Sequence, residues 1–278
     1  MSITDDGVLV CPDCHGPLAE ERDVLVCGGC GATWPPEDGF PKLFREQRIR
    51  GTDRFMRLFY NGLPALHDPL MRHFLPWFQR DAPEPEFRDG YMRRIALASL
   101  RPREDGARPR ILEVGIGAGG NIPPVHRDLP AGLEVDYWGL DLARGMLGQC
   151  RKRVRRDGWN VRLLLGDAHR LPFRDHTFDR VFHVGAAGSY RAPAVALAEM
   201  ARVARPGTPI VVVDEQLDRS RRNTLRDHVA FRLLTFYDRD PHCPSELLPP
   251  GATGVREEQV SRFYYCLTFE MPATPAAS

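Results

Sequence analysis

Glycines and acids in the middle of the chain are spaced like the parts of a nucleotide-type binding site. An apolar run over residues 110–114 leads into a glycine-rich stretch, and Asp141 and Asp167 each end a later short apolar run. A strand feeding a glycine turn, with carboxylates after the next two strands, lines one edge of a parallel sheet. By itself the spacing Gly115-x-Gly117-x-x-Gly120 fits a dinucleotide fingerprint, so a nicotinamide cofactor would satisfy it equally well.

Two of the acids narrow the choice of ligand. Glu113 lies inside the first predicted strand, where a carboxylate is costly to bury unless it has a partner such as a ligand ammonium. Asp167 ends a third strand, where it can accept a hydrogen bond from an adenine amino group. With the later runs 171–179 and 199–207, these motifs resemble the class I S-adenosylmethionine-dependent methyltransferases over roughly residues 108 to 215.

This resemblance implies roles for individual residues. The first motif, with Glu113, Gly115 and Gly117, lies against the methionine part of the cofactor in that family. Asp141 matches the acid that holds the ribose hydroxyls, and Asp167 matches the acid that recognises adenine. The residues predicted to bind S-adenosylmethionine are Tyr60, Glu113, Gly115, Gly117, Asn121, Asp141, Leu142, Met146, Gly166, Asp167, Ala168 and His183. The alternative, a glycine turn in a non-binding α/β domain, leaves the three acids unexplained.

Four cysteines near the start of the chain have the spacing of zinc ligands. Cys11 and Cys14 form one C-x2-C unit, Cys27 and Cys30 form a second, and twelve residues separate the two. A module of some 45 residues buries too little apolar surface to fold alone, whereas structural zinc contributes on the order of 10–16 kcal/mol. We therefore predict a structural zinc site, with a redox pair or disulfides as the alternatives. This region resembles small zinc-ribbon proteins that activate eukaryotic methyltransferases, and the N-terminal ribbon of bacterial ribosomal-RNA guanine methyltransferases.

The rest of the pattern predicts the elements that position these residues. Strands near 110–114, 135–140, 161–165, 180–184 and 210–214 alternate with helices, and two late strands follow near 254–259 and 263–270. The resemblance implies that the last strand is the antiparallel seventh strand of the family. We expect an α/β, doubly wound, mostly parallel seven-stranded sheet of the class I methyltransferase fold, with a small zinc ribbon over residues 1–48, a helical cap over 49–104 and the S-adenosylmethionine-binding domain over 105–278.

The predicted cap carries aromatic stripes. Phe55, Leu58 and Phe59 share one helical face, which predicts core contacts against the sheet. The alternative is a lid over the cofactor, because residues 67–71 resemble a Tyr-Asp-x-Met segment that precedes the core in methyltransferases of quinone biosynthesis. Here His67 replaces that tyrosine, and Tyr60 could supply the hydroxyl.

Methyl transfer needs little catalytic machinery, because aligning the two reactants can contribute around 7–11 kcal/mol. His183 and Tyr190 are the candidate catalytic residues, since both lie where this family places its substrate and a histidine titrates near neutrality. The loop after His183 lacks the Asn/Asp-Pro-Pro-aromatic signature of enzymes that methylate nucleic-acid amines. We therefore expect a small, largely apolar metabolite, methylated at oxygen or carbon.

The alternatives use the ribbon differently. In one alternative, the protein is an RNA methyltransferase that binds ribosomal RNA through the ribbon. A protein segment that binds RNA should be basic, yet residues 1–50 contain nine acidic residues and five basic residues. In the other, the core is a non-catalytic binding domain. The net charge of +1 indicates no particular class of partner. No apolar run reaches the roughly 18 residues that a membrane-spanning helix needs. We expect a cytoplasmic enzyme with a small-molecule methyl acceptor, without nucleic acid or membrane as a partner, and with a homodimer left open.

Overall fold

The computed structural model describes residues 7–62, 84–185 and 187–273. Residues 67–71, which include the predicted lid segment, lie outside the described residues. The N-terminal segment forms a small antiparallel sheet of three strands, and a fourth short strand follows it. These strands are β1 (Leu18–Glu21), β2 (Val24–Cys27), β3 (Thr33–Trp34) and β4 (Lys42–Leu43).

The main sheet contains the seven predicted strands. Five are parallel, namely β5 (Arg110–Val114), β6 (Asp136–Asp141), β7 (Val161–Gly166), β8 (Arg180–Val184) and β9 (Ile210–Glu215), and β10 (Thr253–Ser261) and β11 (Tyr264–Glu270) complete them. The strand order is β10-β11-β9-β8-β5-β6-β7-β4, and β11 is antiparallel to β9 as the resemblance implies. Two residues of the N-terminal segment thus add an eighth strand, β4, parallel to β7.

Helices cover both faces of this sheet, so the doubly wound architecture is confirmed. The α-helices of the described residues are α1 (Gly51–Gly62), α2 (Glu84–Ile95), α3 (Ile122–Asp128), α4 (Arg144–Asp157), α5 (Pro193–Val203) and α6 (Leu225–Leu234). Tyr91 and Ile95 of α2 are buried in a cluster with Phe182, whereas Leu197 and Met200 of α5 belong to the cluster on the opposite face. Among the described residues, every helix is too short or too polar to cross a bilayer.

The predicted apolar face of α1 is wrong. Phe55, Leu58 and Phe59 are exposed, and the buried side of the helix carries Asp53 and Met56 instead. Residues three apart share a helix face, so this buried face is displaced from the aromatic stripe and contains a charged residue. The charge explains why periodicity of apolar residues alone selected the other face.

The N-terminal segment packs directly on the sheet. Leu9 pairs with Phe173 in an isolated antiparallel bridge, and the N–H of Val10 donates to the carbonyl oxygen of Pro172 at 3.0 Å. Trp34 and Leu43 are buried in the same apolar cluster as the strand residues of the main sheet. The N-terminal segment and the sheet therefore share one core, while the predicted boundary at residue 48 stays a prediction.

Candidate active site

The glycine turn follows β5 at the carboxyl edge of the sheet. Gly115 and Gly117 have positive φ angles of 70° and 54°, which residues with a side chain rarely adopt. A Cβ atom at Gly115 would also lie only 3.0 Å from the imidazole of His183. The N–H groups of Gly115 and Ile116 both donate to the carbonyl oxygen of Leu140 in β6. The neighbouring strand therefore fixes the shape of the turn.

Asp141 ends β6 and holds the same turn. Its Oδ2 accepts a hydrogen bond from the N–H of Gly117 at 2.8 Å, and its Oδ1 accepts one from the N–H of Ala143 at 2.7 Å. Met146 of α4 is buried in a small apolar cluster beside the turn, and Tyr60 of α1 packs against that cluster. The structure thus brings together four of the predicted residues, Tyr60, Gly117, Asp141 and Met146, whereas Leu142 packs against a different apolar cluster.

Glu113 is almost fully buried and has partners within the protein. Its Oε1 accepts from the side-chain amide of Asn121 at 2.7 Å, and its Oε2 accepts from the hydroxyl of Tyr137 at 2.5 Å. The amide oxygen of Asn121 in turn accepts from Tyr91 and Arg88. Burial raises the pKa of Glu113 to about 7, although both hydrogen bonds oppose that shift. The protein itself therefore supplies partners for the buried carboxylate, so a ligand ammonium is not needed to explain its burial. One of these partners is Asn121, which was predicted to bind the cofactor.

Asp167 lies in a buried cluster that the sequence analysis did not find. Its Oδ1 accepts from the backbone N–H of His169 at 2.9 Å and lies 2.6 Å from Nδ1 of the same histidine. Burial opposes ionisation, but these hydrogen bonds hold the pKa of Asp167 below its usual value. The buried carboxylate of Asp53, from α1, lies 3.9 Å from the same Nδ1 and accepts from the backbone N–H of Arg191 at 3.0 Å. Asp53 thereby ties α1 to the predicted adenine edge.

The neighbours of Asp167 are set by packing. A Cβ atom at Gly166 would overlap the side chain of Leu140, so any larger residue here would force Leu140 to move. Ala168 is buried in the cluster shared with the N-terminal segment, and Gly166 is paired with Leu43 of β4. The N-terminal segment therefore contacts the strand that ends just before Asp167.

His183 is buried at the end of β8 beside Tyr190. Its Nδ1 lies 2.7 Å from the carbonyl oxygen of Val114, and because a carbonyl can only accept, Nδ1 carries the proton. Its Nε2 is buried and has no hydrogen-bond partner within residues 7–62, 84–185 and 187–273. The Tyr190 hydroxyl lies 3.2 Å from Nδ1, where it can only accept, so its own proton points elsewhere. Burial lowers the pKa of His183 and keeps the imidazole neutral.

A pair of buried carboxylates lies at the end of the next strand. The hydroxyl of Tyr237 donates to Oε2 of Glu215 at 2.8 Å, and the N–H of Gly188 donates to Asp214. Burial, with Asp214 beside it, raises the pKa of Glu215 well above its usual value. Burial and these same carboxylates also raise the pKa of Tyr60. The sequence analysis placed Tyr237 in neither the cofactor set nor the catalytic set. Only the fold brings this residue to the edge of the sheet.

The four predicted metal ligands meet at one point. The Sγ atoms of Cys11, Cys14, Cys27 and Cys30 all lie within 4.8 Å of one another. The Sγ atoms of Cys11 and Cys30 are 3.8 Å apart, and a tetrahedral zinc ion with bonds of about 2.3 Å requires sulfur atoms about 3.8 Å apart. Backbone N–H groups of Gly16 and Gly29 point at two of the sulfurs, as thiolates require. The donor set and its spacing fit zinc.

Two protein families match separate parts of the chain. The family described as "Methyltransferase domain" matches residues 111–207, and the family described as "Trm112p-like protein" matches residues 8–39. The first match covers β5 to the start of the loop before β9. The second covers the four cysteines. The predicted resemblance to methyltransferases and to a zinc-ribbon protein is therefore confirmed.

Curated relatives match the methyltransferase part. Phthiotriol/phenolphthiotriol dimycocerosates methyltransferase 1 of Mycobacterium ulcerans is 40% identical over 38% of this chain and 37% of its own length. Fatty-acid O-methyltransferase of Mycolicibacterium smegmatis is 40% identical over 42% and 40%. Demethylmenaquinone methyltransferase of Renibacterium salmoninarum is 40% identical over 39% and 43%. The alignments thus span about two fifths of the length of these relatives.

A solved structure matches more of the fold at lower sequence identity. It is a chain from the complex of the Haloferax volcanii Trm112 methyltransferase activator with a methyltransferase, and it has a TM-score of 0.54. The match is 14% identical and covers 80% of this chain and 99% of that chain. The chain therefore joins a Trm112p-like segment to a methyltransferase domain with the class I methyltransferase fold.

Proposed function

We propose that this protein transfers the methyl group of S-adenosylmethionine to an oxygen or carbon of a small, largely apolar metabolite. The observation that carries the proposal is the meeting of the glycine turn, Asp141, Asp167 and His183 at one edge of the sheet, within the residues that match the methyltransferase family. The similarity to methyltransferases that are named for lipid or quinone substrates supports an apolar acceptor.

The predicted cofactor residues suit S-adenosylmethionine. Asp141 has its carboxylate at the mouth of the turn, where it would accept from ribose hydroxyls while it holds the N–H of Gly117. Asp167 would accept from the adenine amino group, with His169 keeping the carboxylate ionised and oriented. The backbone of Gly115 and Gly117 would lie against the methionine part. When bound, S-adenosylmethionine supplies a methyl group already activated for transfer.

The chain's own residues would align the acceptor and hold its proton. Neutral His183 presents a buried Nε2 lone pair that has no hydrogen-bond partner among the residues that the structure describes, so it is suited to accept a proton from a hydroxyl. Tyr190 would orient that hydroxyl, because its own proton is not used by His183. The carboxylates of Asp214 and Glu215, with Tyr237, would form the polar end of the acceptor site. Zinc would act structurally, held by the four cysteines.

The proposal is tested with methyl-labelled S-adenosylmethionine and two acceptor pools from the same cells, a total lipid extract and total RNA. We expect label in the organic phase, and we expect Tyr190→Phe to reduce that label while cofactor binding, measured by calorimetry, persists. Label in RNA would favour the RNA methyltransferase instead, with the Trm112p-like segment as its contact. Binding of the cofactor without transfer to either pool would contradict the acceptor class, and no binding would contradict the cofactor.

A further inference from the structure

Two helices beside the proposed site expose an unusual amount of apolar surface. Seven large apolar side chains on or near α1 and α6 have exposed fractions between 39% and 80%. We call them the apolar patch, which consists of Phe55, Leu58, Phe59, Leu225, Val229, Leu233 and Phe236. Soluble proteins rarely leave contiguous apolar surface of this kind uncovered unless it binds something.

The patch has two parts. The ring centroid of Phe236 lies 5.7 Å from that of Phe59 and 6.3 Å from that of Phe55, so Phe236, two residues after α6, contacts α1. Along α6, Leu225, Val229 and Leu233 follow one another at intervals of four residues and therefore share a single helix face. The patch is therefore an aromatic cluster at α1 together with an exposed strip along α6.

Positive charge surrounds the strip. Between Arg219 and Arg239 the chain carries six arginines and two aspartates. Arg222, Arg226 and Arg232 are exposed on or just before α6, among the apolar side chains. An apolar helix face flanked by arginines is typical of helices that lie in the interface of an anionic lipid bilayer.

We propose that the apolar patch docks this protein on an anionic lipid surface. A second copy of the chain fits the patch less well, because a two-fold contact would place the arginine-bearing faces of both copies against each other. The expectation of no membrane partner rested on the lack of a spanning segment, and a surface contact requires none.

The position of the patch gives the docking a purpose. Phe59 precedes Tyr60, and Phe236 precedes Tyr237, and in each pair the two rings pack edge to face. Tyr60 packs beside the glycine turn, and Tyr237 donates to Glu215. An apolar acceptor leaving the lipid would therefore pass from the patch into the proposed site. Only this purpose rests on the proposed function, because the docking itself does not depend on methyl transfer.

The experiment is co-sedimentation of the full chain with vesicles of phosphatidylcholine alone or mixed with phosphatidylglycerol. Wild type is compared with the F59S/L233S/F236S variant and with the single variant L233S. The matched control, V195S/L247S/V255S, removes three exposed apolar side chains from other surfaces. Thermal melting checks that each variant is folded, and L233S serves if the triple variant is not.

We expect wild type and the control to bind the phosphatidylglycerol vesicles, with less binding at high salt. The patch variant should lose at least about tenfold in partitioning, because each large apolar side chain kept in water forfeits a substantial part of the binding energy. Equal binding of the patch variant, equal binding to neutral vesicles, or no binding of wild type would overturn the proposal. Concentration-dependent dimers that disappear in the patch variant, without vesicle binding, would assign the patch to a second copy.

Discussion

At the scale of single residues, Asp141 links the glycine turn to the proposed ribose contact. Its two carboxylate oxygens accept from the N–H groups of Gly117 and Ala143. In Asp141→Asn one oxygen becomes a donor that faces an N–H, and the charge is lost. We expect the affinity for S-adenosylmethionine to fall roughly tenfold to a hundredfold in calorimetry, as for loss of a charged hydrogen bond. Asp136→Asn, at the other end of β6, is the matched control, and an unchanged affinity in Asp141→Asn would contradict the role of Asp141.

Glu113 should make stability depend on pH. Because burial raises its pKa to about 7, the folded state keeps a proton that the unfolded state loses at lower pH. The contribution of Glu113 to the free energy of unfolding is complete below the usual carboxyl pKa. This contribution is lost as pH rises to about 7, and the loss is roughly 3 kcal/mol at most. The unfolding free energy of wild type, minus that of Glu113→Gln, should therefore decrease between about pH 4.5 and 7.

Denaturant unfolding at a series of pH values measures this difference. Glu104→Gln, which changes an exposed carboxylate, provides the control and should leave the pH dependence of wild type unchanged. A difference between wild type and Glu113→Gln that is constant or rises with pH would mean that Glu113 is ionised throughout, held by Tyr137 and Asn121.

At the scale of elements, a buried carboxylate of α1 ties this helix to the loop after β8. Asp53 accepts from the backbone N–H and from Nε of Arg191, in the loop after β8. Asp53→Ala leaves the part-buried backbone N–H of Arg191 without its acceptor, which costs about 1 kcal/mol. We expect a lower melting temperature and faster hydrogen exchange in α1, whereas Thr52→Ala, one residue earlier and exposed, should change neither. Unaltered exchange in α1 of the Asp53 variant would show that other contacts hold the helix.

The strands and the parallel sheet were predictable, whereas the faces of α1 were not. Short apolar runs that alternate with helical patterns, such as the run in β9, predict strands buried on both sides of a parallel sheet. The buried face of α1 was not predictable in this way, because it depends on Asp53 meeting Arg191, which lies more than a hundred residues later. Phe55 and Phe59 looked like core for the same reason, and no local signal marks them as exposed.

The same distinction applies within the site. The glycine turn, Asp141 and Asp167 lie where strand ends were expected, since one motif per strand determines them. The partners of these residues, such as His169 for Asp167 and Tyr137 for Glu113, come from register and side-chain direction. A histidine two residues after an acid carries too little information to predict a buried pair.

At the scale of the whole molecule, the N-terminal segment with its four cysteines and the main sheet should unfold together. Leu43 of β4 is paired with Gly166 of β7, and the N–H of Leu165 donates to the carbonyl oxygen of Pro41. Removing zinc with a chelator should therefore expose amides in β2 and β7 to hydrogen exchange. The edge formed by β10 and β11, at the opposite end of the strand order, is the internal control. Loss of protection confined to residues 7–40 would contradict this coupling.

The most direct measurement for the whole account is native mass spectrometry of the protein as purified from cells. We predict one zinc ion per chain, bound S-adenosylmethionine or its demethylated product, and no nucleic acid. A co-purifying apolar molecule would identify the acceptor class. RNA that remains after a high-salt wash would contradict the metabolite as acceptor, and a chain without zinc would contradict the account of the first 45 residues.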